Sequence, residues 1–237
     1  MNFNFTALKN KLKTTWWNAN SGFVSFKTSS IGNSIIIIYH GIVPKQHLKY
    51  NFRFATVSNF KEQLTLLKNA FNIVTVNDIY NNDLATDRLN VAITFDDGFK
   101  NNLEYAAPIL NDLNLPATFY ITTIRAAGYD YLWPDFLDIV SYYAKEKIKV
   151  GGMEFQKHGN EFIHNGLTLK NYCRQSPWPV KEEMFEALKH LEPCLDINGN
   201  KAYWELLTEV EIRQLSENKL FDIGSHGFYH NNLASIN

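Results

Sequence analysis

The sequence predicts an α/β fold on a parallel sheet. Short β-branched or aromatic runs alternate with helical patterns, each run is apolar nearly throughout, and Asp-, Gly- and His-rich clusters follow two of the runs. Strands covered on both faces read as continuous apolar runs. Alternation of such runs with helices is the signature of a parallel sheet or barrel.

The strand candidates, in order, are residues 34–39, 72–76, 91–95, 117–122 and 220–224. Ser58 is placed to cap a helix that carries Phe60, Leu64, Leu67 and Ala70 on one face. A helix over 101–113 follows the first polar cluster, and Leu115-Pro116 breaks the chain into the next strand. Thr208-Glu209-Val210-Glu211 is a capping box that opens a helix running to about residue 218. The stretch 125–202 is different: a helix over 134–147, a Gly151-Gly152 turn, the Pro177-Trp178-Pro179 breaker, a helix over 181–191 and a turn at 197–200. It reads as an insertion in one connection, because connections in such folds are short.

Phe5, Leu8, Leu12 and Trp16 recur at helical spacing among Lys9, Lys11 and Lys13. Residues 1–33 therefore read as an amphipathic helix and lead-in, docked on the domain or lying on a membrane surface. Residues 34–237 form the main domain, within the size of a single core. No apolar stretch approaches the ~20 residues that cross a bilayer, and no secretory h-region is visible. The expected location is cytoplasmic or membrane-peripheral. An apolar fraction of 45% argues for a packed globule, and 23 basic against 24 acidic residues argue against a nucleic-acid partner. Cys173 and Cys194 are too few for a disulfide framework and read as incidental thiols.

The chemistry concentrates in Thr94-Phe95-Asp96-Asp97-Gly98 and Ser225-His226-Gly227-Phe228-Tyr229-His230. Both follow a predicted strand, and ligands in parallel α/β folds gather at the carboxyl ends of strands. Successive strand residues point to opposite faces, so two adjacent carboxylates divide their work unless the chain turns. Gly98 permits such a turn. Two imidazoles and one carboxylate make a first shell for a catalytic divalent metal, and the other carboxylate remains as a base. Taken singly, Asp-Asp-Gly is a common turn and His-x3-His a common pair of ordinary histidines; the combination carries the reading. His47, His158, His164 and His190 read as solvated.

Val91-Ala92-Ile93-Thr94-Phe95-Asp96-Asp97-Gly98 resembles the first motif of the polysaccharide deacetylases, the NodB-homology or carbohydrate esterase 4 family. Asp222-Ile223-Gly224-Ser225-His226 with His230-Asn231-Asn232-Leu233 resembles the second. The resemblance implies a deformed (β/α) barrel, incomplete at its C-terminal end, with a helical insertion between the motifs. It implies Asp97, His226 and His230 as metal ligands and Asp96 as catalytic base. The metal implied is Zn2+, with Ni2+ or Co2+ as alternatives. Gly227 departs from the Ser or Thr usual in the family, which puts the rigidity of that loop in question.

The family's arginine, Asp/Trp and Leu-x-His motifs ordinarily follow the metal histidines, and seven residues remain after His230. Ile38-Tyr39-His40-Gly41-Ile42 instead closes the first strand, which is similar to the circularly permuted branch that includes poly-N-acetylglucosamine deacetylases. By that resemblance His40 is the general acid. Trp133 is a candidate to stack on a sugar ring, or else a core aromatic anchoring its helix. The function expected is metal-dependent removal of N-acetyl groups from a glycan. An inactive fragment or carbohydrate-binding module of the same fold, and an O-acetyl esterase or small-amide hydrolase, are the alternatives.

Overall fold

In the computed structural model, residues 32–45, 53–197 and 199–235 are described. The amphipathic helix expected near the start lies outside them, as does His47. In chain order the elements are β1 (Ser34–Tyr39), β2 (Ile42–Val43), β3 (Ala55–Thr56), α1 (Val57–Ala70), β4 (Asn72–Val74), α2 (Val76–Asn81) and β5 (Asn90–Phe95). A π-helix (Asn102–Ala106), α3 (Ala107–Leu113), β6 (Ala117–Ile121) and α4 (Trp133–Tyr143) follow. Next come β7 (Ile148–Val150), β8 (Met153–His158), β9 (Glu161–His164), β10 (Leu167–Thr168), α5 (Leu169–Gln175) and α6 (Trp178–Leu188). The last are α7 (Glu209–Ser216) and β11 (Phe221–Ser225).

The chain divides into two compact units. The first comprises Met1–Gln46, Phe52–Tyr120 and Leu207–Gly224; the second comprises His47–Asn51, Ile121–Leu206 and Ser225–Asn237.

The first unit is the α/β body. Strand order is β1-β5-β6-β11, with β4 also pairing β5. β5 is parallel to β1 from Ser34↔Asn90 to Tyr39↔Phe95, to β4 at its start, and to β6 at Thr94↔Thr118 and Phe95↔Phe119. All six residues of β5 are buried, as its apolar run requires of a central strand. The sheet is open among the described residues; no closed barrel forms. β1 pairs only β5 there, so Ile37 and Tyr39 are buried while Ile36 and Ile38 stay 45% and 51% exposed. This corrects the expectation that β1 is covered on both faces.

Four strands each contribute one ring to a transverse aromatic row. Tyr39 stacks on Phe95 at 5.5 Å, Phe95 on Phe119 at 4.8 Å, and Phe119 meets Phe221 edge-on at 5.2 Å. Phe60 of α1 closes the row from one side, edge-on to Tyr39. Phe60, Leu64 and Leu67 form the buried stripe of α1, at the helical spacing seen in the sequence.

The ends of elements moved from the expected places for identifiable reasons. Thr56, not Ser58, caps α1, accepting from the Asn59 amide at 3.2 Å. The strand expected over 72–76 stops at Val74, because Thr75 and Asp78 form a capping box that starts α2. The helix expected over 101–113 is broken into a π-turn and then α3. Pro108 lies in the first turn of α3 and has no N–H to continue the preceding ladder. The Thr208–Glu211 capping box forms as read.

The second unit holds the insertion. It contains an antiparallel sheet of order β10-β9-β8-β7 that the sequence reading missed, together with α4, α5 and α6. Ile148, Val150, Phe155 and Phe162 are its buried residues amid polar neighbours, a period-2 signal too short to stand out in a polar stretch. α4 ends at Tyr143 instead of residue 147, and α6 begins at Trp178, where Pro177 is the N-cap and Pro179 occupies the first turn. Cys173 and Cys194 are free thiols. No helix among the described residues is long and apolar enough to cross a membrane.

Candidate active site

In the first unit the site residues stand at the ends of β1 and β5. The Asp96 amide donates to the Tyr39 carbonyl at 2.9 Å, continuing the parallel ladder one step past the strands. His40 therefore stands beside Asp96 in register, and both are half-buried. The chain then reverses: Asp97 (φ 77°) and Gly98 (φ 83°) are both left-handed. For an aspartate this conformation costs roughly 1–2 kcal/mol, and it bends the chain directly after Asp96. Asp97 is fully buried, and Arg53 reaches it at 3.4 Å between Nη1 and Oδ2.

The turn is tied down from two directions. The Leu207 amide donates to the Gly98 carbonyl at 2.9 Å, and Lys100 pairs with Glu211 at 3.3 Å. Burial pushes the Glu211 carboxyl up, but hydrogen bonds from Thr208 and the Lys100 ammonium outweigh it and hold the group below its usual range. After His40, Gly41 passes so close to Phe54 that a Cβ would lie 2.6 Å from its ring. The Ile42 amide then donates to Asn101 Oδ1 at 3.1 Å, linking the loop after β1 to the segment after β5.

In the second unit the histidine loop leaves the end of β11. The His226 amide donates to the Ile121 carbonyl at 2.9 Å, and the Thr123 amide to the Gly227 carbonyl at 3.1 Å. Gly227 is left-handed (φ 80°), a conformation that favours glycine. His230 is also left-handed (φ 51°). The His226 and His230 rings lie 5.4 Å apart, tilted by 44°, on one short loop.

Trp133 is 4% exposed and its indole Nε1 donates to the His230 carbonyl at 3.2 Å. The Lys181 ammonium lies 5.6 Å from the centre of the ring. A ring enclosed in this way offers no face to a sugar, so the stacking role gives way to the core-anchoring one. Trp178 stacks on Tyr229 at 4.3 Å. His158 and His190 are exposed, and His164 Nδ1 donates to the Glu154 carbonyl at 2.8 Å, away from this loop.

Sequence reading missed Arg53, Trp178, Tyr229 and Lys181. Arg53 and Asp97 are 44 positions apart, and no spacing rule connects them. The aromatic residues announced themselves only as an unusual density of Trp, Tyr and Phe.

Residues 83–199 match the family model described as Polysaccharide deacetylase. The match includes Asp96 and Asp97; His40, His226 and His230 lie outside it. No curated protein sequence matches the chain. Among solved structures, the de-N-acetylase from Aggregatibacter actinomycetemcomitans aligns over 81% of this chain and 54% of its own, at 16% identity and a TM-score of 0.43. BC0361, a polysaccharide deacetylase from Bacillus cereus, aligns over 86% and 42%, at 19% identity and a TM-score of 0.44. The BpsB deacetylase domain from Bordetella bronchiseptica aligns over 81% and 53%, at 12% identity and a TM-score of 0.37. The chain thus spans about half the length of these structures, 42–54%. Through residues 83–199, just under half of its length, this chain is similar to the polysaccharide deacetylases.

Proposed function

We propose that the protein is a metal-dependent deacetylase that removes N-acetyl groups from a glycan, of the circularly permuted kind. The observation that carries the reading is the adjacency of His40 and Asp96 on paired strand ends, inside a chain with a polysaccharide deacetylase match.

Asp97, His226 and His230 are the residues proposed to hold the ion. The donor types fit. Asp97 is a buried carboxylate that already draws a cation, Arg53, and the two imidazoles share one loop. One oxygen and two nitrogen ligands suit Zn2+ with an open position. When bound, such an ion polarises an amide carbonyl and acidifies a water. Asp96 takes the proton from the attacking water. His40, protonated, delivers a proton to the departing sugar amine, and acetate is the other product. Each proton transfer contributes on the order of 10²–10⁴-fold.

The test is acetate release from an N-acetylglucosamine oligomer, with metal content measured on the same sample. Asp96→Asn should abolish release and keep the metal. Full release by Asp96→Asn would sink the assignment of the base; metal binding without release by the unsubstituted protein would favour a carbohydrate-binding role instead.

A further inference from the structure

The second unit shows what its helices do for the histidine loop. Among the attachments that reach residues 226–230 are two pairs. Two are made by the backbone, from His226 to Ile121 and from Thr123 to Gly227. The other two come from the helical part of the insertion: the Trp133 indole of α4 on the His230 carbonyl, and the Trp178 ring of α6 on Tyr229.

These two attachments are themselves held. Lys181 has no exposed surface; its Nζ donates to the Ser176 carbonyl at 2.6 Å and lies over the Trp133 ring. An ammonium over an indole face is attracted by the ring quadrupole. On the other side Tyr129 meets Trp178 edge-on at 5.1 Å and stacks on Phe185 at 5.1 Å. Two tryptophans with immobilised rings thus grip consecutive residues, Tyr229 and His230. The gripped backbone includes a left-handed His230, a conformation uncommon without glycine that persists where the surroundings over-determine it.

We propose that Trp133 and Trp178 are positioning residues: the insertion's helices brace the histidine loop and thereby set the orientation of the His230 imidazole toward a metal ion. The inference rests on the reading of His226 and His230 as ligands. It gives α4 and α6 a task that neither family motif contains. Partners that hold a metal ligand in place typically carry about 10–100-fold in metal affinity.

The test uses the full chain and two variants. Trp133→Phe removes the indole donor and keeps an aromatic ring. Tyr229→Leu removes the stack on Trp178 at a half-buried position, and so guards against a core substitution that fails to fold. In metal-free protein, hydrogen exchange of the amides of residues 226–231 should quicken at least about ten-fold in both variants, with exchange in α5 and β8 unchanged. Titration with Co2+ alone should show about 10–100-fold weaker binding and shifted ligand-field bands. Tyr229→Phe, which keeps the stack, should restore both. Unchanged loop exchange in a folded variant overturns the brace, and so does unchanged Co2+ affinity where exchange has quickened. If the unsubstituted protein binds no Co2+, the metal reading fails; loop exchange still decides whether the tryptophans hold the loop.

Discussion

The Asp96 amide donates to the Tyr39 carbonyl at 2.9 Å, so that His40 and Asp96 stand side by side on neighbouring parallel strands. Adjacent strands run about 4.8 Å apart, close enough for the two side chains to serve one substrate. His40→Gln should therefore lower acetate release by roughly 10²–10⁴-fold while leaving metal content unchanged, read by turnover and metal analysis of one preparation. Loss of metal in that variant would mean that His40 acts on the ion instead.

Arg53 offsets the buried charge of Asp97 from a partly exposed position. Arg53→Gln should destabilise the metal-free protein by about 1–2 kcal/mol, less than for a fully buried pair because solvent screens the guanidinium. A divalent ion would replace that compensation. Saturating Zn2+ should accordingly raise the melting temperature more in Arg53→Gln than in the unsubstituted protein, and a chelator should reverse both gains.

Gly41 faces Phe54, whose ring is 2% exposed and packed edge-on against Phe99 at 4.8 Å. The ring has little room to withdraw. Gly41→Ala should cost about 1–3 kcal/mol in chemical denaturation. It should also lower turnover, because the displaced segment carries His40.

The capping box of α7 links stability to pH. Thr208→Ala should cost about 1 kcal/mol. Glu211 is held below its ordinary value of 4.5, so its contribution is present above that value and is lost as pH falls through the lower, folded-state value. The difference in denaturation midpoint between the unsubstituted protein and Glu211→Gln should be constant near neutrality and shrink below about pH 4.5.

The sequence was most legible where one signal had no competitor. The strand read over 34–39, around the isoleucine run 35–38, is β1 to the residue, and Thr208-x-x-Glu211 is a capping box as read. Boundaries shifted where two signals overlapped: Thr56 outranked Ser58 as a cap, and Thr75 ended β4 by starting α2. The antiparallel sheet of the insertion was hidden because its strands bury few residues, chiefly Ile148, Val150, Phe155 and Phe162, among polar ones. At the site, the ligand and acid–base candidates were visible as local clusters. Arg53 and the role of Trp178 were not, because their contacts with Asp97 and Tyr229 join distant stretches of chain.

The transverse row of Tyr39, Phe95, Phe119 and Phe221 has a consequence for folding fidelity. Tyr39 and Phe95 are the residues immediately before His40 and Asp96. A strand that slipped by one position would carry its whole side-chain set to the opposite face. The ring would leave the row, and a residue of the other face, Ile38 or His40 for β1 and Thr94 or Asp96 for β5, would be driven into the gap. The row thus acts as a proofreading mark at the last rung of the sheet: only the pairing that seats all four rings also sets His40 and Asp96, the proposed acid and base, at the same level.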